Sequence, residues 1–83
     1  MNIQFSNQFF KDLEKAKSTT LVPRIQLLLE IVKTNPFADY PPFKKLKCDE
    51  NSYSRRINKQ HRLVYIVEKD RIIFDRCWGH YDD

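Results

Sequence analysis

The sequence predicts an α+β fold in which two N-terminal helices pack on one face of an antiparallel sheet of about four to five strands. Two observations carry this prediction. Apolar residues recur every three or four positions through the first third of the chain, and they alternate with polar residues from residue 43 onward. A proline-rich segment, residues 36–42, separates the two patterns. Because each helix must bury one apolar stripe, we expect both helices to cover one face of the sheet and leave the other face for function.

The N-terminal segment predicts a short strand followed by a capped helix. Residues 2–5 alternate polar with apolar, and Ser6 is a residue type that caps helices well. Phe5 precedes that cap and Phe10 occupies the fourth helical position, which is the spacing of a hydrophobic staple. We expect this first helix to end near Lys17, before a Ser-Thr-Thr run.

A second helix is predicted to begin near Val22, with Pro23 in the first turn, where the missing N–H costs nothing. Its apolar residues follow at helical spacing, and Asn35-Pro36 ends it. After the proline-rich segment we expect four strands joined by short turns, and short turns favour antiparallel pairing. These strands are predicted at residues 43–47, 53–58, 61–68 and 71–78.

Strand alternation separates two neighbouring arginines. Arg55 shares a parity with the apolar Tyr53 and Ile57, whereas Arg56 shares one with polar neighbours and belongs to the polar face. In the last predicted strand, alternation puts four side chains on one face: Phe74, Arg76, Trp78 and His80. A bulge at Gly79 would move His80 off that face. Trp78 and Tyr65 are expected to pack in the core or on the sheet, and His61 is expected to be structural.

Positive charge is concentrated in the middle of the chain. Residues 44–62 carry seven basic and two acidic side chains, and their net charge of +5 exceeds the +4 net charge of all 83 residues. Such a cluster favours polyanionic partners: RNA, DNA or acidic proteins. The length predicts a single domain spanning residues 1–83. Two cysteines outside any CxxC pair, with no signal peptide or membrane span recognisable, predict a protein of the reducing cytoplasm that does not contact a membrane.

Three motifs carry a resemblance to a known family. Asn35-Pro36-Phe37 and the run P-P-F-K-K-L at residues 41–46 are followed by Y-S-R-R-I-N-K-Q-H-R-L-V-Y at residues 53–65, and W-G-H-Y lies at residues 78–81. This pattern strongly resembles the YoeB/Txe family of toxins, within the RelE superfamily of toxin–antitoxin systems. The resemblance is dense from residue 35 to residue 81 and looser in the helices.

The resemblance implies a small prokaryotic ribonuclease that enters the ribosomal A site, cleaves the translated mRNA and is silenced by an antitoxin. The implied fold is RelE-like, similar to microbial ribonucleases. The implied chemistry uses no metal and no cofactor: the substrate's 2′-hydroxyl attacks its own neighbouring phosphate. We also expect the antitoxin to carry an acidic segment and to be encoded by the adjacent gene.

The family's functional residues transfer to matching positions of this chain. The resemblance implies that Arg62 stabilises the charged transition state and that Arg56 adds a phosphate contact on the same face. It implies that His80 is the general acid and that Tyr81 stacks on a base or orients the histidine. Four further basic side chains are expected to bind RNA: Lys45, Lys47, Arg55 and Lys59.

The sequence departs from the family at the general base and at the C-terminus. Family members commonly carry Glu where this chain has Lys44, so Lys44 or Lys47 is a candidate base, with Asp49 or Glu50 as alternatives; the first expected role of Lys44 is RNA binding. Two further acidic residues, Asp82 and Asp83, follow the terminal motif, either raising the pKa of His80 or pointing away from it.

Two other functions remain compatible with the residues. A gyrase poison of the ParE type, built on the same superfamily fold, would not require His80 or Tyr81. A non-catalytic nucleic-acid-binding module would use the basic block only to grip phosphate.

Overall fold

The computed structural model describes residues 2–47 and 51–79, and it forms two helices and five strands within them. The helices are α1 (Asn7–Ala16) and α2 (Val22–Thr34). The strands are β1 (Asn2–Phe5), β2 (Phe43–Lys45), β3 (Ser52–Arg56), β4 (Arg62–Val67) and β5 (Arg71–Arg76). None of the described helices is long and apolar enough to cross a membrane.

The five strands form one sheet in the order β1-β5-β4-β3-β2. The strands β2 to β5 pair antiparallel with their neighbours in sequence, as their short connections require. The strand β1 pairs with β5 in parallel, so the sheet is mixed and not wholly antiparallel as predicted. Residues 6–70, which include both helices and the strands β2 to β4, connect β1 to β5, and a connection of this length makes the parallel pairing possible. The predicted α+β class, with two helices against a five-stranded sheet, is confirmed.

The helix α1 begins as the sequence predicts. Ser6 is the N-cap, and its Oγ accepts a hydrogen bond from the Phe9 N–H at 3.0 Å. The same hydroxyl donates to the Asp75 carbonyl at 2.7 Å, which attaches the helix start to β5. The rings of Phe5 and Phe10 lie 5.7 Å apart, which confirms the hydrophobic staple.

The helix α2 also agrees with its predicted limits. It begins at Val22 with Pro23 in its first turn, and it ends at Thr34, directly before Asn35-Pro36. Its buried stripe, formed by Ile25, Leu28 and Val32, packs into the same core as α1 and the sheet. The two helices therefore cover one face together.

The core lies between the helices and the sheet. It is built from apolar side chains of both layers, with Tyr65 and Phe74 completely buried at the centre of the sheet. Trp78 is partly buried against it. The expectation that Tyr65 and Trp78 serve in packing is confirmed.

One carboxylate is fully buried in this core. Asp12 of α1 accepts hydrogen bonds from Arg76 Nε at 2.7 Å, from Gln8 at 2.9 Å and from the Cys77 N–H at 3.2 Å. Burial alone raises the pKa of Asp12, but these hydrogen bonds outweigh it and the pKa is lowered. Burial also raises the pKa of the Cys77 thiol to about 12, so this thiol stays protonated near neutrality.

The alternation in β5 is interrupted earlier than the sequence predicts. The register with β4 shifts between Val64 and Tyr65, which pair with Arg76 and Phe74 and leave Asp75 as the extra residue of a bulge. The bulge interrupts the regular alternation predicted through Phe74, Arg76 and Trp78, but Arg76 still reaches the helix side, where its Nε donates to Asp12 of α1. Gly79 has a φ of 108°, a conformation that favours glycine, but it lies beyond the end of the strand.

Candidate functional site

A cleft of about 520 Å³ lies where the β3–β4 hairpin meets the first turn of α2 and the proline-rich segment. Each of these elements contributes side chains to its wall. The lining residues are Arg24, Tyr40, Pro41, Pro42, Lys44, Arg56, Ile57, Asn58, Lys59 and Arg62. Residues that are distant in sequence therefore form one concave surface.

The cleft is strongly positive. Five of its lining side chains are cationic, and none of the described residues that line it is acidic: the five are Arg24, Lys44, Arg56, Lys59 and Arg62. Cations gathered in a concave wall of low dielectric focus the electrostatic potential and attract anions. This arrangement fits phosphate groups better than it fits a neutral ligand.

Arg62 is the most buried of these cations. It is only 7% exposed, at the start of β4, and its Nε donates a hydrogen bond at 3.0 Å to Ser54 Oγ of the neighbouring strand. Ser54 is itself completely buried. Because a bond at Nε fixes the plane of the guanidinium, Ser54 orients the terminal nitrogens of Arg62.

Arg56 lies directly opposite Arg62 in the antiparallel register of β3 and β4. It is exposed, and both side chains line the cleft. Like charges at directly opposed positions destabilise a sheet, so packing does not explain this pair. An anion bound between the two guanidinium groups would remove that cost.

Arg55 occupies the other face of β3 and does not contact the cleft. It is completely buried, donating hydrogen bonds to the Tyr65 hydroxyl at 3.0 Å and to the carbonyls of Pro36, Ala38 and Pro41. Its guanidinium also lies 5.1 Å from the centre of the Phe43 ring. The prediction that Arg55 binds RNA is therefore corrected: this arginine holds the proline-rich segment against the sheet.

The predicted lysines divide between two locations. Lys44 and Lys59 are exposed and line the cleft. Lys45 and Lys47 are exposed but do not line it, and the register places Lys45 opposite Tyr53 on the face away from Lys44. A polyanion in the cleft would reach Lys45 and Lys47 only by extending beyond it.

The end of the described chain is attached beside Arg62. The Gly79 carbonyl accepts the Arg62 N–H at 3.1 Å, and the Gly79 N–H donates to His61 Nδ1 at 2.9 Å. The imidazole of His61 stacks on Trp78 at 3.8 Å between ring centres. The expected structural role of His61 is confirmed, and its acceptor nitrogen indicates that the ring carries its proton on Nε2.

Several predicted site residues lie outside the described residues. They are His80 and Tyr81 of the terminal motif, the alternative bases Asp49 and Glu50, and the two acidic residues Asp82 and Asp83. Gly79, which immediately precedes His80, is the last described position. The roles expected of these six residues stay predictions.

Sequence reasoning did not identify Arg24 and Tyr40 as residues of the site. Arg24 lies in the first turn of α2, and Tyr40 lies in the proline-rich segment, 84% exposed. The periodicity of α2 showed only that Arg24 is off the apolar stripe. The available signal for Tyr40 was an aromatic residue between Asp39 and Pro41-Pro42. Only the folded structure shows that it lies at the cleft.

Comparison with known proteins identifies a family. Residues 5–81 match the model of the YoeB-like toxin of bacterial type II toxin–antitoxin systems. The chain is 37% identical to Toxin YoeB of Synechocystis over 62 residues, covering 74% of this chain and 72% of that protein. The match to the family model includes both helices, where the resemblance noted above is looser.

Solved structures agree. A YoeB/ParE toxin from Agrobacterium tumefaciens superposes with a TM-score of 0.86 at 31% identity, covering 98% of this chain and 100% of that one. YoeB in a heterotetrameric YoeB–YefM toxin–antitoxin complex from Staphylococcus aureus superposes with a TM-score of 0.79 at 36% identity, covering 98% of each chain. The similarity therefore spans the whole described fold.

Proposed function

Since this chain belongs to the family of YoeB-like toxins of bacterial type II toxin–antitoxin systems, we propose that it is an endoribonuclease that cleaves translated mRNA in the ribosomal A site and so inhibits translation. One observation carries the proposal: the buried Arg62 and the exposed Arg56 face the same cleft in a wall that contains five cations. Single-stranded RNA offers phosphates at a spacing that such a cleft can engage.

The proposed reaction is a transfer within the substrate. The 2′-hydroxyl loses its proton and its oxygen attacks the adjacent phosphorus, the bond from phosphorus to the 5′-oxygen breaks, and that oxygen gains a proton. The products are a 2′,3′-cyclic phosphate, which water can open to a 3′-phosphate, and a 5′-hydroxyl. The negative charge that builds on the phosphorane oxygens requires fixed cations, and Arg62, oriented by Ser54, supplies a planar pair of donors.

His80 is proposed as the general acid that protonates the leaving 5′-oxygen. Its neighbour Gly79 is hydrogen-bonded to the backbone of Arg62 and to the ring of His61. These bonds fix the end of the described chain beside Arg62, and this supports the role proposed for His80. Tyr81 is proposed to stack on a base or to orient the imidazole of His80.

Lys44 is proposed first as a phosphate contact and second as the group that accepts the 2′-hydroxyl proton. It lines the cleft, at the position of β2 that pairs with Ser54 in β3. A lysine can accept the 2′-hydroxyl proton only in its neutral form. Lys59, Lys45 and Lys47 are proposed to extend the contact with RNA beyond the scissile linkage.

An antitoxin is the proposed protein partner. YoeB of Staphylococcus aureus is found in a heterotetrameric complex with YefM, and the concentrated charge of this cleft favours an acidic antitoxin segment that competes with RNA. We propose that the toxin acts in the bacterial cytoplasm, where translating ribosomes and mRNA are present.

The proposed function is tested by mapping the 5′ ends of a translated message, with and without ribosomes, for the wild type and for His80→Ala. We expect cuts within A-site codons only when ribosomes are present, and we expect these cuts to disappear in the variant. Lys69→Ala, in the turn at the other end of β4, is the control for removing a surface charge and should cut like the wild type. Intact messages together with gyrase-dependent DNA breaks would instead establish the gyrase-poison function.

A further inference from the structure

We propose that Tyr40 and Arg24 form a nucleotide-binding subsite on the rim of the cleft, in which the tyrosine ring stacks on an RNA base and the guanidinium binds the phosphate of the same or the next nucleotide. This subsite rests on the proposed ribonuclease function. Its ligand is one unpaired nucleotide flanking the scissile linkage. Neither residue belongs to the motifs from which the other site residues were predicted.

The exposure of Tyr40 is the first argument. The side chain is 84% exposed and still lines the cleft, beside Pro41 and Pro42. Among the described residues, Tyr40 is the most exposed of the large apolar side chains, and it does not belong to the core. An aromatic face presented to a groove lined by cations is the arrangement with which proteins bind single-stranded RNA, because every base has a face that can stack.

The second argument is that the backbone around Tyr40 is held in place. Buried Arg55 donates hydrogen bonds to the carbonyls of Ala38 and Pro41, which lie on either side of Tyr40, and to that of Pro36. The Tyr65 hydroxyl donates a second hydrogen bond to the Pro36 carbonyl at 2.9 Å. Because the segment is anchored to β3 and β4, the ring needs little further ordering when a base binds.

Arg24 provides the third argument. It is exposed in the first turn of α2 and lines the same cleft as Tyr40 and Arg56. It brings a cation from a helix to a cleft whose other cations come from the sheet and its turns. A phosphate held at Arg24 and a base stacked on Tyr40 would account for an exposed cation and an exposed ring on the same cleft.

The test measures binding of a short fluorescein-labelled single-stranded RNA, followed by anisotropy, together with cleavage of a translated message. We expect Tyr40→Ala to weaken RNA binding about tenfold and Tyr40→Phe to bind like the wild type, because stacking needs the ring and not the hydroxyl. Phe10→Ala is the matched control, since Phe10 is 52% exposed on α1 and does not line the cleft. It should bind like the wild type.

Two further measurements identify the contact. An RNA that lacks one base at the stacked position should bind the wild type about tenfold more weakly than intact RNA does. Tyr40→Ala should bind the two RNAs equally. Arg24→Gln should lower the slope of log affinity against log salt concentration by about 0.7, the contribution of one phosphate in single strands, while Lys69→Gln leaves the slope unchanged.

The outcomes separate this proposal from the one on which it rests. If the wild type cleaves the message and Tyr40→Ala binds RNA as tightly as the wild type, the subsite is wrong and the ribonuclease function stands. Equal losses in Tyr40→Ala and Tyr40→Phe would overturn the stacking. A wild type that neither binds nor cleaves RNA would overturn both proposals.

Discussion

Arg55 and Arg56 are adjacent in β3 and have opposite surroundings. Arg55 is completely buried and donates hydrogen bonds to one hydroxyl and three backbone carbonyls, whereas Arg56 is exposed in the cleft opposite Arg62. The two faces of one strand therefore use the same side chain for different purposes. On the helix side the guanidinium satisfies buried polar groups, and on the open side it leaves charge available for a ligand.

The comparison shows that the basic side chains of residues 44–62 do not form one continuous surface. Three of these side chains, Lys44, Arg56 and Lys59, are exposed in the cleft, and Arg62 is a buried member of the same wall. Arg55 lies on the other face, where it positions the segment that carries Tyr40. Stability therefore depends on Arg55 and the proposed function on its neighbour Arg56, and substituting each residue alone should separate the two effects.

The largest effect is expected for Arg55→Ala. This change removes the Arg55 donor from the carbonyls of Ala38 and Pro41, at about 1–3 kcal/mol for each unsatisfied buried group, while the Pro36 carbonyl keeps the Tyr65 hydroxyl. We expect the free energy of unfolding, measured in urea, to fall by at least about 2 kcal/mol, a large part of the usual total of about 5–15 kcal/mol.

Arg56→Ala is the matched control for this experiment, since it removes the same side chain from the exposed face of the same strand. Its free energy of unfolding should stay within about 0.5 kcal/mol of the wild type. Similar losses in the two variants would end the distinction between the two faces.

The next largest effect is expected for Arg62→Ala, measured as the rate of cleavage of a translated message. Removing a preorganised donor from the transition state should lower the rate by about 10²- to 10³-fold. Arg62→Lys should restore only part of the rate, because an ammonium group keeps the charge and loses the planar pair of donors. Full activity in Arg62→Ala would remove Arg62 from the proposed mechanism, and full activity in Arg62→Lys would show that the charge suffices without the planar pair of donors.

A smaller effect is expected for Ser54→Ala. The substitution removes the hydroxyl that accepts the Arg62 Nε hydrogen bond and keeps the charge of Arg62. We expect kcat to fall about tenfold, or about 1.4 kcal/mol, with little change in KM, because orientation is lost and attraction is kept. Ser52→Ala, which removes another buried hydroxyl of β3, is the control and should leave kcat unchanged.

The smallest effect concerns Asp12 on the helix side. Burial opposes ionisation of this carboxyl, but its hydrogen bonds from Arg76, Gln8 and Cys77 hold its pKa below the usual value. The ionised form therefore stabilises the fold at neutral pH, and this contribution is lost as the pH falls below about 4 and through the lowered pKa.

Urea unfolding between pH 7 and pH 3 tests this expectation. Asp12→Asn should unfold more easily than the wild type at pH 7 and lose less of its remaining stability as the pH falls. Asp39→Asn, at an exposed position in the proline-rich segment, should keep the wild-type pH dependence. An unchanged pH dependence in Asp12→Asn would show that this carboxyl does not contribute to acid unfolding.

Much of the fold was predictable because its signals are local. The Ser6 cap, the contact of Phe5 with Phe10 and the limits of α2 depend on residues within a few positions of one another. Alternation also assigned Arg55 and Arg56 to opposite faces. The RNA-binding role predicted for Arg55 was wrong because a positive charge in a sequence does not reveal whether distant carbonyls will surround it.

The sequence by itself determined the α+β class, the helix limits and the presence of Arg56, Arg62 and Lys44 in one candidate site, since periodicity and motif need only neighbouring residues. Only the tertiary structure decided that β1 joins β5 in parallel, that β5 bulges at Asp75, and that Arg24 and Tyr40 reach the cleft. These features arise from contacts between segments that are far apart in the chain. Such contacts depend on how the layers of helices and strands pack, and no local pattern in the sequence predicts them.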